Sequence, residues 1–234
     1  MSDGTSMVAA ATLIGDYARA KMLTALMGGR ALTATELAGA AGITKQTGST
    51  HLRKLLDARF VAMEAHGRHR YFRIADEEVA QLLEDLMSFS VRTNASAYAT
   101  GPKDPALRKA RVCYDHLAGE LGVLLYASLL QRQAFDFDGA TVALSAAGER
   151  LIAELGVDAP ALRSQKRALC RVCMDWSERR HHLAGAVGAA LLGRVIDLGW
   201  AVRDQSSRAI RFRPNGERAF RGYFHLNGEF HEAV

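Results

Sequence analysis

Residues 33–74 read TATELAGAAGITKQTGSTHLRKLLDARFVAMEAHGRHRYFRI. Thr33 and Glu36 stand at capping-box spacing, which predicts a helix starting there, with Leu37 and Ala40 facing inward and Gly42 closing it. Thr44 opens a second helix. Its core stripe is Leu52, Leu55 and Leu56, while Lys45, Gln46, Thr47, Ser49, Thr50 and Arg53 are polar and gather toward its first turns. Val61–Ala65 and Arg70–Ile74 alternate like two strands around the basic tip His66-Gly67-Arg68-His69. Two helices joined by a tight turn and followed by a basic hairpin predict a winged helix-turn-helix, which docks on double-stranded DNA with its second helix in the major groove.

Each polar residue then has an expected task. Gln46 suits a bidentate amide pair with adenine, and Lys45, Thr47, Ser49, Thr50 and Arg53 suit phosphates or base edges. Arg68 and Arg70 are placed for the adjacent minor groove or its phosphates. Gly48, inside the reading helix, costs about 1 kcal/mol against Ala. It marks either close approach to DNA or a tolerated residue.

Charge agrees with a polyanionic partner. From Thr44 to Ile74 seven Lys or Arg stand against Asp57 and Glu64, a net +5 that equals the formal charge of the whole chain. A second run, residues 203–221, has six Arg against Asp204 and Glu217, and there a solvated hairpin and helix explain the charge equally well. At 234 residues the chain is too long for a lone DNA-binding module, and 49% apolar residues supply a core of ordinary size. No basic leader precedes an apolar run at the N-terminus, so neither a secretory signal nor a membrane span is expected and the compartment is read as cytoplasmic. Three Cys, an odd number, argue against a disulfide framework.

The stretch from Glu36 to Phe72 resembles the ArsR-type winged-helix repressors. The family's Ser-x-His-Leu-x-x-Leu signature stands as Ser49, His51, Leu52 and Leu55, its apolar exit as Phe60-Val61, and its wing as Gly67-Arg68 through Tyr71. The likeness covers about residues 7–92. It implies a homodimer, a pseudo-palindromic operator and repression relieved by an effector, with His51 part of the helix signature rather than a metal ligand. Arg59 stands where the family usually has Gly, which leaves the end of the reading helix open. The Cys-x-Cys motif of the family's arsenic and cadmium sensors is absent from the reading helix, and the helix expected at 76–92 lacks the Asp and His pairs of its zinc sensors. Metal sensing is therefore not implied by the resemblance.

On either side of the module, Val8 to Met27 shows helical spacing (Leu13, Tyr17, Ala20, Leu23, Met27) and stops at Gly28-Gly29. Asp76 to Arg92 is amphipathic, with Val79, Leu82, Leu83, Leu86, Met87 and Phe89 as its apolar face. In the family it resembles, such a helix pairs with the first helix across the dimer axis. Gly101, Pro102 and Pro105 mark a linker at 94–106. The expected organisation is thus a DNA-binding and dimerisation domain at 1–93, a linker, and an effector-sensing domain at 107–234.

That last part repeats itself. Cys113-Tyr114-Asp115-His116-Leu117-Ala118-Gly119, with Gly122, resembles Cys173-Met174-Asp175, six further residues, then His182-Leu183-Ala184-Gly185, with Gly188. Each copy continues as an apolar helix and reaches Gly-Glu-Arg, at 148–150 and 216–218. Two copies, about 110–157 and 170–224, are expected as helix, hairpin and helix, packed about a pseudo-twofold axis because neither alone buries a good core. The fold class is mainly α with small β-hairpins (α+β).

The polar heads of the copies are the candidate effector site: Cys113, Asp115, His116, Cys170, Cys173, Asp175 and His182. On helices, Cys113 with His116 and Cys170 with Cys173 would share a face, three apart, and could clasp a soft metal such as zinc. Thiol redox sensing, an organic effector pocket and purely structural Cys are the other readings. No nucleophile elbow, phosphate loop or paired metal motif accompanies them, so catalysis is not expected. The leading expectation is a homodimeric, effector-responsive repressor. Its competitor is an architectural or protein-recruiting module that senses nothing.

Overall fold

The computed structural model describes residues 3–93, 102, 104–139, 141–205 and 207–226. They form two compact units, Met1–Leu83 and Glu84–Val234. The division falls inside one helix, while the expected linker at 94–106 lies largely outside the described residues.

The first unit contains α1 (Asp3–Ile14), α2 (Tyr17–Leu26), β1 (Leu32–Thr33), α3 (Ala34–Ala41), α4 (Lys45–Asp57), β2 (Val61–His66), β3 (His69–Ile74) and the start of α5 (Glu77–Thr93). The expected single helix at 8–27 is two helices. Asp16 interrupts it and caps α2 by accepting from the Arg19 N–H at 2.9 Å, and Tyr17 is exposed rather than inward. The Arg19 guanidinium in turn donates to the Thr12 and Leu13 carbonyls at the end of α1.

Thr33 and Glu36 form the expected capping box, and Gly42, at φ 72°, closes α3 in the left-handed region. Ala38 and Ala41, not Ala40, join Leu37 in the core; Ala40 is exposed. Thr44 caps α4 by accepting from the Thr47 N–H. At the other end Arg59 adopts φ 57° while the Phe60 N–H reaches the Leu55 carbonyl at 2.9 Å. The helix therefore ends on the left-handed residue at which Gly carries no Cβ penalty. Hairpin β2–β3 is in register from Val61 opposite Ile74 to His66 opposite His69, and β1 adds a third strand in the order β1-β3-β2. Met22, Leu26, Leu37, Leu52, Leu55, Phe60, Phe72 and Ile74 close the core.

The second unit is built twice. Its first half runs α6 (Pro105–Lys109), β4 (Arg111–Cys113), β5 (His116–Ala118), α7 (Glu120–Gln131), β6 (Phe135–Asp138), β7 (Thr141–Leu144) and α8 (Ala146–Glu154). Its second half runs α9 (Ala159–Arg163), β8 (Arg171–Asp175), β9 (Arg180–Ala184), α10 (Gly185–Asp197), β10 (Ala201–Arg203), β11 (Ile210–Phe212) and α11 (Pro214–Tyr223). The expected order of helix, hairpin and helix is thus incomplete. The polar heads lie on an additional hairpin ahead of each long helix, with Cys113 opposite His116 in the first and Cys173 opposite His182 in the second.

The glycines of the repeat explain the close packing. Gly122 and Gly188 sit at matching places in α7 and α10, where a Cβ would come within 2.4 Å of the Leu117 and Leu183 carbonyl oxygens. Only glycine lets each helix lie against the hairpin that precedes it. Across the repeat β5 packs on β9, α7 on β9 and α10 on β5, over a shared core that includes Leu121, Leu125, Val187 and Leu191.

Candidate functional site

On α4, Gly48 is buried, with its Cβ position 3.0 Å from Ala38 Cβ. Close approach of α4 to α3, not to DNA, explains it. The opposite face presents Lys45, Gln46, Thr47, Ser49, Thr50 and Arg53 to solvent, and Arg68 and Arg70 are exposed on the wing. His51 points back into the unit, its Nδ1 3.2 Å from Arg19 Nη1. The second basic run behaves otherwise. Arg211 pairs with Asp204, and Arg221 pairs with Glu120 and Glu217 at 2.5 and 3.0 Å.

In the second unit the candidate residues part company. Each hairpin sets a Cys opposite a His: Cys113 faces His116 between β4 and β5, and Cys173 faces His182 between β8 and β9. Directly opposed residues on an antiparallel pair share a face of the ribbon. The pairs are thus cross-strand and not three apart on a helix, as the spacing had suggested. Tyr114, at φ 57°, makes the first turn tight enough to place them. Because the two hairpins meet, Cys113, His116, Cys173 and His182 come together, one potential ligand atom from each lying within 4.8 Å of all the others. All four are buried. The glycine of each helix faces the other copy's histidine: a Cβ at Gly188 would lie 3.2 Å from His116 Cβ, and one at Gly122 3.8 Å from His182 Cβ.

Cys170 stands apart. It belongs to the hydrophobic core, where burial pushes its thiol up to about 12, and the proposed Cys170–Cys173 clasp does not form. Asp175 is also turned elsewhere. It accepts from Arg111 at 2.8 Å and from the Gly119 N–H at 2.6 Å, tying the second hairpin to the start of α7. Burial alone would raise its carboxyl; Arg111, His182, the Gly119 amide and Ser177 outweigh that and hold it at about 2. Asp115 supports the cluster from behind, 3.2 Å from His116 Nδ1, and is itself held by Arg167 at 2.6 Å.

A fifth residue completes the arrangement. Glu84, on α5 and the first residue of the second unit, accepts from the Cys113 and Cys173 thiols at 2.8 Å each. Burial, with Cys113 beside it, raises its carboxyl to about 8. The two histidines face one another, Nε2 to Nε2 at 3.1 Å. Burial opposes a charge on His116, but its bond to Asp115, with Cys113 and Glu84 near, holds its pKa up at about 10, while burial pushes His182 down. A protonated His116 thus donates to Asp115 through Nδ1 and to His182 through Nε2. His182 Nδ1 has no hydrogen-bond partner among the described residues. Glu84 had a signal in the sequence: it falls in the buried stripe of α5 with Ala80 and Leu83, where a carboxylate is out of place.

In the first unit, α3 and α4 joined by a tight turn and followed by the hairpin β2–β3 make a winged helix-turn-helix. Residues 14–64 match the helix-turn-helix domain family. The uncharacterized HTH-type transcriptional regulator YdfF of Bacillus subtilis (strain 168) is 40% identical over 216 residues, covering 92% of this chain and 95% of that protein. The chain belongs to this family of HTH-type transcriptional regulators. Among solved structures, the homodimeric winged helix-turn-helix DNA-binding domain of Mb0332 from Mycobacterium bovis is 21% identical, with a TM-score of 0.38 over 42% of this chain and 94% of that one. HlyU from Vibrio cholerae is 19% identical, with a TM-score of 0.34 over 38% and 97%. The family points to regulation rather than catalysis, and no helix among the described residues is long and apolar enough to cross a membrane.

Proposed function

We propose that this regulator is an effector-responsive repressor acting as a homodimer on a pseudo-palindromic operator. One observation carries the reading: α4 buries Gly48, Leu52 and Leu55 and leaves the polar face from Lys45 to Arg53 exposed. A reading helix needs that division, and the wing adds Arg68 and Arg70 beside it. For the dimer, α1 exposes Met7 and Val8, and α5 exposes Leu82, Leu86 and Phe89. Large apolar side chains in such a row are unfavourable in water and suit a helical dimer interface. Two reading helices would then meet half-sites about 34–36 Å apart, and a change in that spacing would release the operator. The duplicated unit is assigned the sensing role.

Arg53→Ala and Arg68→Ala test the DNA face. Each is expected to weaken binding of the natural upstream DNA in fluorescence anisotropy. Each lost phosphate contact should also lower the slope of log affinity against log salt by about 0.9. The dimer mass should stay the same. Unchanged affinity and slope in both variants, with the fold intact, would overturn the proposal.

A further inference from the structure

We infer that Cys113, His116, Cys173 and His182 form a buried tetrahedral site for a thiophilic divalent cation of the zinc class, and that Glu84 senses its occupancy. This deepens the sensing role proposed above by naming the ligand, and its regulatory consequence rests on that role.

Geometry is the first support. A tetrahedral ion with zinc–nitrogen bonds of about 2.0–2.1 Å sets two imidazole nitrogens about 3.3 Å apart, and zinc–sulfur bonds of about 2.3 Å set two sulfurs about 3.8 Å apart. The two Nε2 atoms are 3.1 Å apart, and all four potential ligand atoms lie within 4.8 Å of one another. One ion fits this space. Two thiolates and two imidazoles are also the donor set of tetrahedral zinc rather than of magnesium or calcium.

The supporting residues agree. A metal-bound His usually gives its other ring N–H to a carboxylate, which fixes the ring and strengthens the ligand. His116 does so through Nδ1 to Asp115, which Arg167 holds in place. The ligands also come from two hairpins, β4–β5 and β8–β9, one in each copy of the repeat. A duplicated fold whose only function was packing would have no need to bury two thiols, two imidazoles and a carboxyl together, because buried polar groups are costly unless satisfied.

The ion changes what Glu84 can do. Both thiols donate to its carboxyl group. When the cation binds, two metal–sulfur and two metal–nitrogen bonds form, and any protons on the ligating sulfur and nitrogen atoms are released to solvent. Ion and thiolates together are then neutral, which suits a buried site. Glu84 lies on α5, the helix that begins in the DNA-binding unit. A metal-bound thiolate has no proton to donate, so occupancy removes the two bonds by which Cys113 and Cys173 hold Glu84, which is the differential contact that an effector requires.

The test uses the full chain, reduced and kept free of oxygen. Titration with Co2+ is expected to give one ion per chain, with thiolate-to-cobalt absorption and the intense visible bands of a tetrahedral ion, lost on adding an equivalent of Zn2+. Cys113→Ser and Cys173→Ser should each weaken binding by more than about 100-fold, beyond the roughly 10–100-fold expected for Asp115→Asn, which removes a supporting partner. Cys170→Ser should leave the spectrum unchanged. X-ray absorption of the zinc-loaded wild type needs no variant and should show two sulfur and two nitrogen neighbours at about 2.3 and 2.0–2.1 Å. No stoichiometric binding, a spectrum that survives both cysteine substitutions, or a zinc shell without sulfur would overturn the inference. A chain that binds DNA but takes up no Co2+ overturns the inference alone. A chain that loads Co2+ but binds no DNA overturns the proposed function alone.

Discussion

The reading helix and the Cys-His cluster are both groups of polar side chains, and they are arranged in opposite ways. On α4 the polar residues come from one helical segment and face water. In the second unit Cys113, His116, Cys173 and His182 come from two hairpins about 60 residues apart, and all are buried. A surface that meets a polyanion in solvent needs only local order, since exposed Lys and Arg stay satisfied by water until DNA arrives. A buried polar centre must instead be satisfied by the protein, so it requires partners from several elements: Asp115 behind His116, Arg167 behind Asp115, and Glu84 across from both thiols. Loss of a residue from the first group should therefore affect binding, and loss from the second should affect the fold of its unit.

The strongest way to break this contrast is Arg111→Ala. It leaves Asp175 buried without its cationic partner, and removing one member of a buried pair costs about 3–5 kcal/mol. Both tryptophans, Trp176 and Trp200, lie in the second unit, so fluorescence during urea unfolding reports on that unit. A loss below about 1 kcal/mol would show that the pair is not anchoring the hairpin. A smaller effect is expected at Gly188→Ala, whose Cβ would meet the Leu183 carbonyl at 2.4 Å; overpacking of this kind costs about 1–3 kcal/mol. Gly193→Ala, five residues along α10 and with nothing within 4 Å of its Cβ position, should instead stabilise by about 0.4–1 kcal/mol in the same assay. Equal effects at the two glycines would refute the packing argument. The smallest change concerns the first unit: Arg59→Gly should relieve a left-handed conformation and slow amide exchange along α4, by about 1 kcal/mol of protection, without altering the tryptophan transition. A faster exchange would mean that Arg59 makes a stabilising contact larger than its backbone strain.

The sequence by itself determined the run from α3 to β3, because its signals are local. A capping box, a left-handed Gly42, an apolar stripe and an alternating hairpin each act within a few positions, and the structure places α3, α4, β2 and β3 where these signals put them. It also predicted a repeat in the second half, where the order helix, hairpin, helix, hairpin, helix recurs. What it left open was how the repeat closes, since the packing of β5 on β9, of α7 on β9 and of α10 on β5 depends on side chains far apart in the chain. Cysteine and histidine three apart fit a helix or a tight hairpin equally well, and only the register separated Cys113–His116 from the unformed Cys170–Cys173 clasp. Tertiary structure likewise placed Glu84 against both thiols and Cys170 in the apolar core. The composition of the buried centre could be listed from the sequence, but its membership was decided by which faces the two hairpins turn toward each other.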